Sequence, residues 1–187
     1  MYKPMFRDLR AEEIECRVAQ AKTNGVSLLL YKDARCDQNI LDETVGAMNW
    51  MRHHNRENAN CIISIWDENK KQWVEKEDTG TESNTEKEKG LASDSFKRAG
   101  FNWGIGRELY TAPFIWIKAE ECVGLKQEGQ KVKCYDTFDV QKIVIEDKKI
   151  VALAIKNAKT GKTCFVWQEP VWQKKQAEKK AGANNAN

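Results

Sequence analysis

The sequence is poor in the features that mark several large protein classes. Its 187 residues hold two histidines, three prolines and no C-x-x-C pair. No window approaches the roughly 18 unbroken apolar residues of a membrane helix. Six cysteines, at 16, 36, 61, 122, 134 and 164, are scattered along the chain. Without paired spacing they read as free buried thiols, not as a disulfide framework, and no metal site is expected. The opening Met1-Tyr-Lys-Pro-Met-Phe-Arg-Asp has no apolar h-region, so the expectation is a cytoplasmic protein without a secretory leader. His53 and His54 are adjacent; on a strand they point to opposite faces and do not chelate one ion together. With only these two histidines, a Ser-His-Asp or Cys-His nucleophile has no material. Gly104-Ile-Gly106 is followed by Leu109 where a dinucleotide fingerprint needs its third glycine, and there is no G-K-[ST]. Rossmann and P-loop readings are excluded, and no cofactor is expected.

An excess of charge of one sign is also missing from most of the chain. Residues 171–187 contain Lys174, Lys175, Lys179 and Lys180 against Glu178, which accounts for the whole formal excess of +3. Residues 1–170 are therefore formally neutral, and an anionic partner has to meet a local cationic patch. The final stretch has no apolar period, so 171–187 reads as a Lys-rich disordered tail following one domain over 1–170. The apolar share of 41% is ample for a core.

What is present is a run of strand and helix signals. Ile14, Cys16 and Val18 alternate with Glu15 and Arg17, and a second apolar run covers Val26 to Tyr31 with Asn24-Gly25 before it. This predicts strands near 13–21 and 26–32 joined as a hairpin. Ala34, Asp37, Ile40 or Leu41 and Val45 form one helical stripe, with Gly46 as the stop. Strands are expected at 49–54, 61–66 and from 72 onward. Ser83 with Glu86 and Thr85 with Glu88 offer capping boxes. Behind them Ala92, Phe96, Ala99 and Trp103 mark an amphipathic helix over 88–110. After a polar loop, strands at 138–145, 150–155 and 163–167 close the chain. The order β-β-α-β-β-β-α-β-β-β is α+β, an antiparallel sheet packed on a long amphipathic helix.

Two segments carry candidate chemistry. Glu146-Asp147-Lys148 spells E-x-K at the end of an apolar strand. It is either a metal-dependent nuclease fragment using Glu146 and Lys148, or a solvated hairpin turn. The helix over 88–110 sets Lys97, Arg98 and Arg107 beside Phe96 and Phe101, with Asp94 and Arg98 as an i, i+4 pair. Cations that track a backbone beside rings that offer stacking surfaces suit single-stranded nucleic acid; a charged outer helix face is the plainer reading.

Three segments resemble one family. Lys89-Gly-Leu-Ala-Ser-Asp-Ser-Phe-Lys-Arg-Ala-Gly-Phe-Asn-Trp-Gly-Ile-Gly-Arg-Glu-Leu-Tyr-Thr-Ala-Pro113 is similar to a run characteristic of the Rad-fifty-two-type single-strand annealing proteins, especially the phage Sak-like recombinases. Tyr31-Lys-Asp-Ala-Arg through Asn49-Trp50 and the shorter Glu13-Ile-Glu-Cys-Arg-Val18 resemble two more of its motifs. Together they cover about 14–113.

The resemblance implies a β-β-β-α core and rings or helical filaments of many subunits. It also implies single-stranded DNA in a positively charged groove. It implies a non-catalytic, ATP-independent role in recombination and repair, in a bacterial host cell if the chain is phage-encoded. A phage exonuclease or the host's single-strand-binding protein would be a partner, and no membrane is involved. Carried over residue by residue, the DNA-binding set is Arg17, Lys97 and Arg98, with Arg35, Phe101 and Arg107 beside them. Phe101 stands where eukaryotic members carry an arginine, and Cys16 where a tryptophan is usual. A protecting module that binds DNA without annealing it would use the same cations.

Overall fold

The computed structural model describes residues 4–81 and 87–184. It is α+β, with antiparallel sheets and three helices. The chain divides into two compact units: Met1–Leu9 with Lys32–Arg107, and Arg10–Tyr31 with Glu108–Asn187.

The first unit begins with helix α1 (Ala34–Val45), for which Asp33 is the N-cap, its side chain accepting from Arg35 N. Ile40 and Leu41 form its fully buried stripe, and Gly46 N donates to Asp42 O where the helix stops. Strands β3 (Trp50–Asn55), β4 (Asn60–Asp67) and β5 (Gln72–Thr79) follow as an antiparallel meander; their numbering leaves β1 (Glu15–Lys22) and β2 (Gly25–Tyr31) to the second unit. The meander matches the three strands expected at 49–54, 61–66 and 72 onward. Helix α2 (Lys87–Trp103) packs against β4 and β5. Phe96 and Ala99 are buried on this helix, as are Cys61, Ile63 and Ile65 on the central strand, whose apolar run reflects its place between two partners. The capping boxes expected at Ser83 and Thr85 lie outside the described residues.

The α2 helix is shorter than the expected 88–110. Ile105 N donates to Gly100 O and Gly104 N to Phe101 O, both at 3.0 Å. This 6→1, 5→2 pair is a Schellman stop with Gly104 at C′. A separate 3-10 turn then covers Arg107–Thr111. The apolar period continues past Trp103, and for that reason the break is hidden in the pattern.

The second unit is a six-stranded antiparallel sheet in the order β11-β10-β9-β1-β2-β6. Besides β1 and β2, it contains β6 (Ile115–Lys118), β9 (Phe138–Glu146), β10 (Lys149–Asn157) and β11 (Thr163–Gln168). The β1–β2 hairpin turns at Thr23-Asn24, with Lys22 opposite Gly25. A β-carbon on Gly25 would sit 2.2 Å from Ile117 O, so this glycine lets β6 approach. The polar loop expected after residue 113 instead holds β6 and a small hairpin, β7 (Leu125–Glu128) and β8 (Lys131–Cys134). The tail reading is also corrected over part of its length, because Pro170–Asn184 forms helix α3. Pro170 suits the first helical position, Glu169 accepts Trp172 N at 2.6 Å, and Trp172 Nε1 donates to Glu146 Oε1 at 2.7 Å. Among the described residues no helix is long and apolar enough to cross a membrane.

Candidate nucleic-acid interface

In the first unit the motif-bearing segments meet around a buried ion pair. Lys32 is 1% exposed and Asp37 0%, and the Lys32 ammonium donates to both carboxylate oxygens of Asp37. Burial pushes the Asp37 carboxyl up to about 6 and the Lys32 ammonium down, each offset by the charge of the other. The Lys32 ammonium also lies 4.5 Å from the centre of the Phe101 ring. Two glycines of the 89–113 run make room for this pair. A β-carbon on Gly100 would lie 2.6 Å from Asp37 Oδ2, and one on Gly106, at φ +70°, would lie 2.3 Å from Lys32 Cε. Gly100 costs helix propensity of about 1 kcal/mol against alanine, and the carboxylate beneath it is the reason.

Two of the predicted cations, Lys97 and Arg35, act on the acids of this corner. Lys97, half-buried on α2, forms no salt bridge among the described residues, but its charge acts on both Asp33 and Asp37. Arg35 is 83% exposed and reaches Asp33 through Nε at 2.9 Å and a terminal nitrogen at 2.6 Å. Those bonds, and then the neighbouring charges, hold the Asp33 carboxyl below its ordinary value. Arg35 and Lys97 therefore share one acidic neighbour.

Arg98 sits one turn beyond Asp94 and pairs with it at 3.1 Å, both partly exposed. Asp94 in turn accepts from Thr81 N and Thr81 Oγ1, which ties the end of the β5 segment to α2. Burial opposes the Asp94 charge, but the bonds from Thr81 and Arg98 outweigh it and hold its pKa low. Lys32, Arg35 and Lys97 thus lie with Asp33 and Asp37, and Arg98 with Asp94, so that the cations of this face are met by acids of its own.

Two of the expected contacts have other work. The Arg107 guanidinium donates to Phe101 O at 2.7 Å and Asn102 O at 3.2 Å, closing the C-terminus of α2. Phe101 is half-buried with the Lys32 ammonium on its ring, so it is not the open stacking surface that its position suggests. Arg17 lies in the second unit on β1, exposed as its alternation predicts, opposite the exposed Leu29 of β2. The half-buried Cys16 beside it has its thiol pushed up to about 12, first by burial and then by Asp139 and Cys164, so it is an inert filler.

The remaining motifs resolve plainly. His53 is exposed, whereas His54 is half-buried with Nδ1 3.4 Å from Ser95 Oγ. Glu146 pairs with Lys149 across a two-residue turn in which Asp147 and Lys148 have φ of +50° and +61°. The E-x-K segment is a tight hairpin turn whose glutamate holds Trp172, and both central residues take the left-handed form that a type I′ turn requires.

Sequence reasoning missed Lys32 and Asp37. Both stand in Tyr31-Lys-Asp-Ala-Arg-Cys-Asp, and a lysine leading into a helix whose apolar stripe contains an aspartate was the available signal. The chain matches no family model, no curated protein and no solved structure.

Proposed function

We propose that this protein binds single-stranded DNA and anneals complementary strands, as an assembly of many copies, without hydrolysing anything. Lys97 and Arg98 hold successive phosphates, Arg35 adds a third cation near Lys97, and base pairing supplies the free energy. The observation that carries the reading is the Lys97–Arg98 pair. It lies partly exposed on a helix whose inner face is committed to β4 and β5, in a β-β-β-α unit. The resemblance over 89–113 supplies the annealing activity and the assembly, and it alone brings Arg17 into the set. The sheet face turned away from α2 supports assembly in a modest way, since it leaves Met51 45% and Trp73 39% exposed.

The test is an annealing assay with two complementary oligonucleotides, alongside binding measured over a range of salt. The parent protein accelerates pairing, and Lys97→Ala/Arg98→Ala loses that acceleration. The slope of log affinity against log salt falls by about 0.7 for each phosphate contact removed. A double variant that binds and anneals like the parent removes these residues from the site. A parent that binds but does not speed pairing is a protecting module instead.

A further inference from the structure

The second unit gathers acidic groups that the proposed function does not use. We propose that Cys122, Cys134 and Asp136 form a binding site for one zinc ion at the base of the β7–β8 hairpin. Their ligand atoms, two thiol sulfurs and a carboxylate oxygen, all lie within 4.8 Å of one another. In a zinc tetrahedron with Zn–S of about 2.3 Å, neighbouring ligand atoms stand about 3.8 Å apart, a difference that side-chain rotation covers. Two sulfur ligands beside one carboxylate select zinc over magnesium or calcium, which take oxygen shells.

A second observation concerns Asp136. The Asp136 side chain is completely buried, and its Oδ2 accepts Gly124 N at 3.0 Å. Its Oδ1 is buried with no hydrogen-bond partner, and Lys159 Nζ approaches it only to 3.6 Å. A buried carboxylate oxygen without a donor is costly, and a dication removes that cost. Cys122 and Cys134 are only half-buried, so an ion reaches them from solvent. Cys164, close enough for its charge to be felt at Cys122, donates to Ile155 O at 3.5 Å and remains outside the set.

The site would be structural. Cys122 precedes β7, Cys134 ends β8 and Asp136 leads into β9, so one ion would cross-link both strands of the hairpin to the sheet. The polypeptide already closes this base, with Tyr135 N donating to Gly124 O at 2.9 Å.

The experiment uses the full chain, purified under reducing conditions, stripped with a chelator and titrated with zinc or cobalt(II). Elemental analysis should give one zinc per chain, and cobalt should show thiolate charge-transfer and tetrahedral d–d bands. Both signals should disappear in Cys122→Ser/Cys134→Ser, and the d–d bands should shift in Asp136→Asn. In the unaltered protein, zinc should slow alkylation of Cys122 and Cys134 but not of Cys164, a readout that does not depend on how a variant folds. Zinc binding no greater than that of the double serine variant, or alkylation at Cys122 and Cys134 unaffected by zinc, overturns the site.

Discussion

The two units handle buried polar groups in opposite ways. In the first, a cation and an anion are buried together, and the backbone around them is pared to glycine at 100 and 106 so that they fit. In the second, two half-buried thiols stand beside a buried carboxyl, one of whose oxygens has no hydrogen-bond partner. A buried pair of opposite charges satisfies itself; a buried carboxylate oxygen without a donor gains from a cation placed beside it. Much of what makes the 89–113 run distinctive, including Gly100, Phe101 and Gly106, serves the Lys32–Asp37 pair, and Arg107 serves the end of α2. Of the candidate cations on that run, Lys97 and Arg98 take no part in either.

The contrast can be broken most forcefully at the buried pair. Asp37→Ala leaves the Lys32 ammonium buried without its partner and should cost about 3–5 kcal/mol of stability in a urea titration. Replacing both residues, as Lys32→Met/Asp37→Leu, should cost less than either single change. A double variant worse than both singles would mean that the pair is not the unit. Gly106→Ala tests the space around it. The added methyl meets Lys32 Cε from a left-handed backbone, and overpacking of this kind should cost about 1–3 kcal/mol in the same titration. An alanine variant as stable as the parent would show that Lys32 yields easily.

The smallest effect concerns His54, held below its usual value of 6.5 first by burial and then by the Arg52 charge. A histidine whose folded pKa is depressed adds stability that is present above 6.5 and is lost as pH falls through the folded value. Thermal melts carried downward from pH 6.5 should therefore fall more steeply for the parent than for His54→Gln. Parallel curves would remove His54 from the account.

Strands with a clean alternation or an apolar run were legible. β1, β2, β3, β4, β9, β10 and β11 fall within a few residues of their expected ranges, because a sheet with a buried face imposes its period on the chain. The Lys-rich end was misread because its lysines outweigh a local signal, the Glu169-Pro170 start at which Trp172 docks on Glu146. The short strands β6, β7 and β8 were missed since four residues hold too little period to register. In the candidate site, the exposure of Arg17 and Arg35 and the Asp94–Arg98 pair follow from local spacing. The engagement of Phe101 with Lys32 does not, because the two are brought together across 69 positions of chain.

By itself the sequence determined the α+β class, most of the strands, the helix that carries Lys97 and Arg98, and the turn at Asp147-Lys148. All of these are local properties, written in periods of two and 3.6 residues and in the preferences of single positions. Only the tertiary structure decided which lysine goes inside, why glycine stands at 100, and that Cys122, Cys134 and Asp136 share one corner. Those outcomes depend on atoms distant in the chain competing for the same few ångströms, and no local pattern records that competition.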